Sequence, residues 1–280
     1  MQNIIDYIVE ELGDHYSPGE VKTYVSLILG KVCGISSLEI LTRKINKLSN
    51  TQHLVVDDIV GRLKNDEPIQ YILGTTEFYG LPFLVTPAVL IPRPETEELV
   101  EWIITDKQKP NPSILDVGTG SGCIAVTLAK KIAGARVSAW DISSRALEVA
   151  EENAANNKVF VRFSEHDLFS SFVEKEQFDV IVSNPPYVLE SEKREMEPNV
   201  LRYEPAKALF VPDSRPLLFY ERLADIALVL LFPQGGIYME INRMKGSDVM
   251  ALFSEKGFID VCLRKDLSGN DRMVFARKEG

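Results

Sequence analysis

The apolar positions of this chain follow one rhythm before residue 75 and another after residue 95. Ile4, Ile5, Ile8, Val9 and Leu12 recur at the three- and four-residue spacing of a helix face. Ser17-Pro-Gly-Glu20 reads as a capping box with proline at the first helical position, opening a second helix over Val21–Val32. Leu38–Leu48 and Thr51–Leu63 predict two more helices, so residues 1–74 are expected to form a small helical bundle. The stretch Thr75–Val89, aromatic and β-branched around Gly80, predicts a β-hairpin and makes residues 75–94 a connector. Over residues 95–280, helical stretches (Thr96–Ile104, Gly122–Ile132, Ser143–Asn157, Pro216–Leu231, Gly246–Lys256) alternate with short apolar runs. Those runs, Ser113–Val117, Arg136–Trp140, Val159–Ser164, Asp179–Ser183, Gly236–Ile241, Phe258–Arg264 and Arg272–Arg277, are the expected strands. Such alternation implies a Rossmann-like α/β fold, a mostly parallel seven-stranded sheet with helices on both faces. The last two strands, joined only by a short loop holding Ser268-Gly269-Asn270, are expected to be antiparallel.

Composition narrows the setting. No run approaches the roughly 20 apolar residues of a membrane helix, and residues 1–30 lack the basic start and apolar stretch of a secretory signal, so the expectation is a cytoplasmic protein without membrane contact. Three cysteines and three histidines are scattered along the chain, which excludes a disulfide framework or a CxxC metal site and leads us to expect no metal. The net charge is −10, and both the first 80 residues (11 acidic, 7 basic) and the remainder (30 and 24) are negative. Extended contact with a phosphate backbone calls for a basic surface, so direct sequence-specific nucleic-acid binding is not expected.

Four segments carry candidate chemistry. In Ile114-Leu-Asp-Val-Gly-Thr-Gly-Ser-Gly122 a buried strand runs into glycines at every second position and then a helix, letting the backbone bend sharply and a ligand approach its amides. This differs from the dinucleotide fingerprint GxGxxG, since Gly122 falls one place early and Cys123 stands where the third glycine belongs. Asp116, just before the turn, suits an ammonium group. Asp141 ends the next strand, 21 residues after Gly120, where a carboxylate can accept both hydroxyls of an adenosine ribose; Ser143 is the better helix cap there. Asp167-Leu-Phe169 follows the third strand and offers an acceptor for an adenine amino group with an aromatic beside the ring. Asn184-Pro-Pro-Tyr187 follows the apolar strand, outside the carboxyl end of the sheet where ligands of such folds bind. Two prolines make that turn rigid and strip it of donors. The Asn184 side-chain oxygen and the Pro185 carbonyl are then placed to hold both hydrogens of a substrate NH2, with Tyr187 stacking over a flat group.

Together these segments resemble the PrmC/HemK family of protein-(glutamine-N5) methyltransferases, within the class I S-adenosylmethionine-dependent methyltransferases. The resemblance extends through Glu67-Pro-Ile-Gln-Tyr-Ile-Leu-Gly74, Glu77-Phe78 and Leu90-Ile-Pro-Arg-Pro-Glu-Thr-Glu97, and the last run together with Asn184–Tyr187 is its specific part. It implies an enzyme that methylates the glutamine of the Gly-Gly-Gln motif in peptide chain release factors with S-adenosyl-L-methionine. Gly118, Thr119, Gly120, Ser121 and Gly122 would wrap the methionine part of the cofactor, with Asp116 beside them, and Asp141 would hold the ribose. Asp167 and Phe169 would flank the adenine, and Asn184, Pro185, Pro186 and Tyr187 would hold the substrate glutamine, with Asn184 also at the cofactor. It further implies that the helical domain at 1–74 helps recognise the release factor. Arg93, Glu95 and Glu97 are expected near the site entrance. One departure from relatives is Asn242-Arg243-Met244-Lys245, where a glycine and later a glutamine are usual. The rival readings are methylation of an exocyclic base NH2, methylation of a ribosomal-protein glutamine, and a non-catalytic nucleotide-binding adaptor.

Overall fold

The computed structural model describes residues 4–41, 48–106, 109–170 and 176–280, the side chains of Ser37 and Leu41 excepted. In chain order the elements are α1 (Ile4–Leu12), α2 (Pro18–Cys33), α3 (Ser37–Leu41), α4 (Asn50–Leu63), α5 (Ile69–Leu73), β1 (Thr75–Phe78), β2 (Leu81–Leu84) and α6 (Pro94–Thr105). Then come β3 (Ser113–Val117), α7 (Cys123–Lys131), β4 (Arg136–Asp141), α8 (Ser144–Asn156), β5 (Val161–Glu165), β6 (Phe178–Ser183) and β7 (Val188–Leu189). The chain ends with α9 (Pro198–Tyr203), β8 (Phe210–Val211), α10 (Leu218–Leu230), β9 (Leu231–Glu240), α11 (Gly246–Glu255), β10 (Phe258–Lys265) and β11 (Asp271–Lys278). Of the helix expected at Leu38–Leu48, α3 holds the start, and residues 42–47 lie outside the described residues. Among the described residues no helix is long and apolar enough to cross a membrane.

The chain divides into two compact units, Met1–Gly74 with Glu197–Tyr203, and Thr75–Met196 with Glu204–Gly280. In the first, the capping box is real: the Ser17 amide donates to Glu20 Oε2 at 2.9 Å, and the Glu20 amide returns a bond to Ser17 Oγ. Ser49 and Gln52 repeat the device at the start of α4. The buried stripe Ile8, Leu12, Ile28, Leu29, Val56 and Leu63 makes this unit's own core. Helix α9 belongs to it through Arg202, paired with Asp66 at 2.7 Å, and Tyr203, whose hydroxyl donates to the Asn65 carbonyl.

The second unit is a seven-stranded sheet in the order β10-β11-β9-β6-β3-β4-β5. Neighbours from β9 to β5 run parallel, while β11 pairs antiparallel with both β9 and β10. Central strand β3 is buried along its whole length, which a near-continuous apolar run requires when both faces are covered. Side chains alternate across it with period two. Ile114, with Val180 and Val137 of the flanking strands, packs under Leu99, Ile103, Ile124 and Leu128 of α6 and α7, whereas Leu115 and Ile181 face Tyr220, Leu223 and Ala227 of α10.

The predicted hairpin is β1–β2, with Phe78 and Phe83 buried edge to face at 6.0 Å. It is tied down by two asparagines, Asn153 of α8 and Asn157, which caps the end of that helix. Fully buried Asn153 accepts from the Leu84 amide and donates to the Leu84 and Ser121 carbonyls, and Asn157 donates to the Pro82 carbonyl. Strand β9 starts at Leu231 rather than Gly236, because Pro233-Gln234-Gly235, which reads as a break, is absorbed in a register irregularity against β6.

Candidate active site

Strand order reverses at β3, so the carboxyl ends of β3, β4, β5 and β6 open onto one crevice. The glycine turn fills its floor. Gly118, Gly120 and Gly122 have φ of 76°, 54° and 78°, the left-handed region, which accounts for glycine at every second position. Their roles divide. A Cβ at Gly118 or Gly120 would meet no atom within 4 Å, while at Gly122 it would sit 3.0 Å from the Cβ of Ala150. The first two glycines therefore leave open space at the crevice, and the third lets α7 and α8 approach. The amides of Gly118 and Thr119 both donate to the Trp140 carbonyl, at 2.8 and 2.9 Å, fixing the turn to β4.

Asp116 is completely buried. Its Oδ2 accepts from Thr119 Oγ1 at 2.6 Å and from the Ala125 amide at 3.2 Å, and its Oδ1 has no hydrogen-bond partner among the described residues. Burial pushes this carboxyl up to about 7. Asp141 is a brace as well as a ligand candidate: Oδ2 accepts from the Gly120 amide at 2.8 Å and Oδ1 from the Ser143 amide at 2.9 Å. Ser143 caps α8 through Ala146, as the sequence indicates. Asp167 is exposed and closes a turn by accepting from the Phe169 amide at 2.9 Å. That turn is held by Arg222, which donates to the Leu168 and Ser170 carbonyls, and Phe169 meets Phe219 edge to face at 5.3 Å.

At the end of β6, Asn184 donates through Nδ2 to Thr96 Oγ1 at 3.1 Å and to Glu240 Oε2 at 3.0 Å. Glu240, at the end of β9, is buried and also accepts from Thr96 Oγ1 at 2.7 Å and from the Tyr187 hydroxyl at 2.8 Å. Burial raises the pKa of Glu240 and, more strongly, that of Tyr187. These segments enclose a cavity of about 580 Å³, in the range of small-molecule sites. Gly118, Thr119, Gly120, Ser121, Asp141, Asp167, Phe169, Asn184, Pro185 and Pro186 all line it. Asp116 and Gly122 sit behind the lining. Tyr187 also lies outside it, its ring packed partly buried against the apolar cluster of α10 and its hydroxyl held by Glu240. Arg93 reaches the cavity and pairs with buried Glu204, while Glu97 instead accepts from the Tyr79 amide. In the divergent loop, Asn242 donates to the Tyr187 carbonyl at 3.1 Å and to Glu192, so this side chain fixes the backbone beyond the Pro-Pro turn.

Pattern reading passed over Thr96, Glu240, Glu204 and Phe219. A signal existed for one of them: a lone carboxylate ending the apolar run Ile237-Tyr-Met-Glu240 is a buried charge that needs partners.

Comparison with known proteins agrees with this architecture. Residues 96–203 match the methyltransferase small domain, and residues 3–74 match the PrmC N-terminal domain. Among solved structures the fold is similar to a methyltransferase from Pyrococcus furiosus (TM-score 0.54, 19% identity, 80% of this chain and 100% of that one). It is also similar to the 16S rRNA N2 G1207 methyltransferase of T. Thermophilus in complex with AdoMet and guanosine (TM-score 0.55, 19% identity, 73% and 50%). In sequence the chain is 45% identical to the release factor glutamine methyltransferase of Bacteroides thetaiotaomicron, over 99% of this chain and 100% of that protein. It is 42% identical to the one of Flavobacterium psychrophilum, over 98% of each. The chain belongs to the release factor glutamine methyltransferase family.

Proposed function

We propose that this protein methylates the side-chain amide nitrogen, N5, of the glutamine in the Gly-Gly-Gln motif of peptide chain release factors, using S-adenosyl-L-methionine. The observation that carries the reading is the Asn184 amide: Nδ2 bonds to Thr96 and Glu240, so Oδ1 remains as an acceptor on the cavity wall beside Pro185 and Pro186.

The cofactor fits the residues present. Unpartnered, buried Asp116 Oδ1 suits its ammonium, and the open space above Gly118 and Gly120 admits a chain lying close to the backbone. Asp141 receives the ribose hydroxyls, and Asp167 with Phe169 receives the adenine. When bound, S-adenosylmethionine supplies a methyl group on a positively charged sulfur.

An amide nitrogen is a poor nucleophile because its lone pair is delocalised into the carbonyl. Asn184 Oδ1 and the Pro185 carbonyl accept the two substrate N–H groups, which favours pyramidal nitrogen and aims the emerging lone pair at the methyl group. As positive charge grows on that nitrogen both bonds strengthen, so the residues act by positioning and electrostatics, and the surplus proton of the methylated nitrogen is lost to water without a histidine base. Tyr187 acts from outside the cavity lining, through Glu240.

The test is transfer of a labelled methyl group from S-adenosylmethionine to a purified release factor and to the same factor with the Gly-Gly-Gln glutamine changed to glutamate. We expect label on the first and none on the second. Asn184→Ala should lower turnover by roughly 100-fold while cofactor affinity stays within about threefold. Label on both factors, or on nucleic acid or ribosomal protein instead, would overturn the reading.

A further inference from the structure

Side-chain amides have nearly isosteric ends, and only their hydrogen-bond partners decide which end faces a substrate. We propose that Glu240 and Thr96 are positioning residues that both accept from the NH2 end of Asn184 and thereby commit its Oδ1 to the substrate nitrogen. The inference rests on the proposed role of Asn184 and adds what enforces it.

The single hydroxyl hydrogen of Thr96 is spent on Glu240 Oε2, at 2.7 Å, so toward Asn184 the Thr96 oxygen can only accept. Glu240 Oε2 likewise presents only lone pairs to Asn184 Nδ2. A flipped Asn184 would drive its Oδ1 against two acceptor oxygens and turn an NH2 toward the substrate NH2, where donor would meet donor. The carboxylate is held in turn by the Tyr187 hydroxyl on Oε1, with Arg272 of β11, Glu95 of α6, Cys123 of α7 and Tyr220 of α10 the other charged or titratable groups facing it. A proton on Oε1 would leave the Oε2 side intact, because Tyr187 can accept as well as donate. Burying a carboxylate is expensive, and three donors converging on one whose neighbours form the Asn184 turn give that expense a function. The network draws on α6, the Asn-Pro-Pro-Tyr turn and β9, residues 144 positions apart between Thr96 and Glu240.

Three substitutions separate positioning from mere packing. Thr96→Val keeps the shape and removes the hydroxyl, Thr96→Ser restores it, and Glu240→Gln keeps an oxygen for Asn184 while turning its NH2 to Tyr187. For Thr96→Val we expect kcat to fall about 100-fold, cofactor affinity by calorimetry to stay within about twofold, and Thr96→Ser and Glu240→Gln to recover to within about tenfold of the parent. The second readout needs no turnover: the Asn184 side-chain NH2 signals in 15N-labelled protein, identified by their loss in Asn184→Asp, should be protected from solvent exchange in the parent and lose protection in Thr96→Val. Undiminished kcat in a folded Thr96→Val, a parallel loss of cofactor affinity, failure of Thr96→Ser to recover, or an unprotected parental amide would each overturn the proposal. A parent protein with a protected Asn184 amide that methylates no release factor would count against the substrate reading and support the clamp.

Discussion

Asp116 couples the site to pH. Its carboxyl titrates near 7 in the folded protein against an ordinary 3.8, so between those values the folded state holds a proton that the unfolded chain has released. Its contribution to stability is therefore full below about 3.8 and is lost as pH rises through about 7. The melting temperature of Asp116→Asn relative to the parent should accordingly rise across that window and level off above it. Cofactor binding is expected to move the other way, because in the proposed reading Asp116 pairs with an ammonium and must be a carboxylate to do so: the affinity of the parent should fall about tenfold per pH unit below 7, and Asp116→Asn should flatten that slope. Calorimetric titration with S-adenosylmethionine on both proteins checks this, and a flat parental profile would contradict it. At this scale the sequence was eloquent wherever chemistry sat at a strand end. Gly118, Gly120, Asp141, Asp167 and Asn184 are local signals, and the cavity brings them together. Thr96 was silent, and Glu240 showed only a buried charge in need of partners, because what joins them is a pairing across 144 residues, which no window of the chain contains.

Elements bring those residues together, and the hairpin shows how. Asn153 spends its carbonyl and NH2 on Leu84 and on Ser121 of the glycine turn, so one side chain of α8 clamps both the hairpin and the floor of the cavity. Replacing it by leucine would leave three backbone groups without their partner, that of Ser121 buried and the two of Leu84 half-buried. We expect Asn153→Leu to cost roughly 2–4 kcal/mol in urea unfolding, with weakened cofactor binding in the surviving folded fraction. A loss within about 0.5 kcal/mol would show that the hairpin holds itself. The periodic elements, from Ser113–Val117 to Asp271–Lys278, were legible because apolar spacing is a property of the element itself. The stretch between Tyr187 and Leu217 was not: β7 and β8 are two residues each, α9 is six, and pieces this short carry no period.

For the whole molecule, alternation of strand and helix fixes the order of layers, and the reversal of strand order at β3 fixes where a ligand enters. Membership of α9 in the first unit was invisible, since the ion pair of Arg202 with Asp66 links positions 136 apart. Fold alone does not select a substrate; in the proposed reading the acceptor oxygen of Asn184 does, by asking for a planar NH2. The direct measurement is tandem mass spectrometry of the Gly-Gly-Gln peptide from an intact release factor treated with this protein and S-adenosylmethionine. One added methyl group, localised by fragmentation to the glutamine side chain and formed far more slowly with Asn184→Ala, is the expected result. An unmodified glutamine from a protein shown separately to bind the cofactor, or a methyl group on any other residue of the factor, would contradict the account.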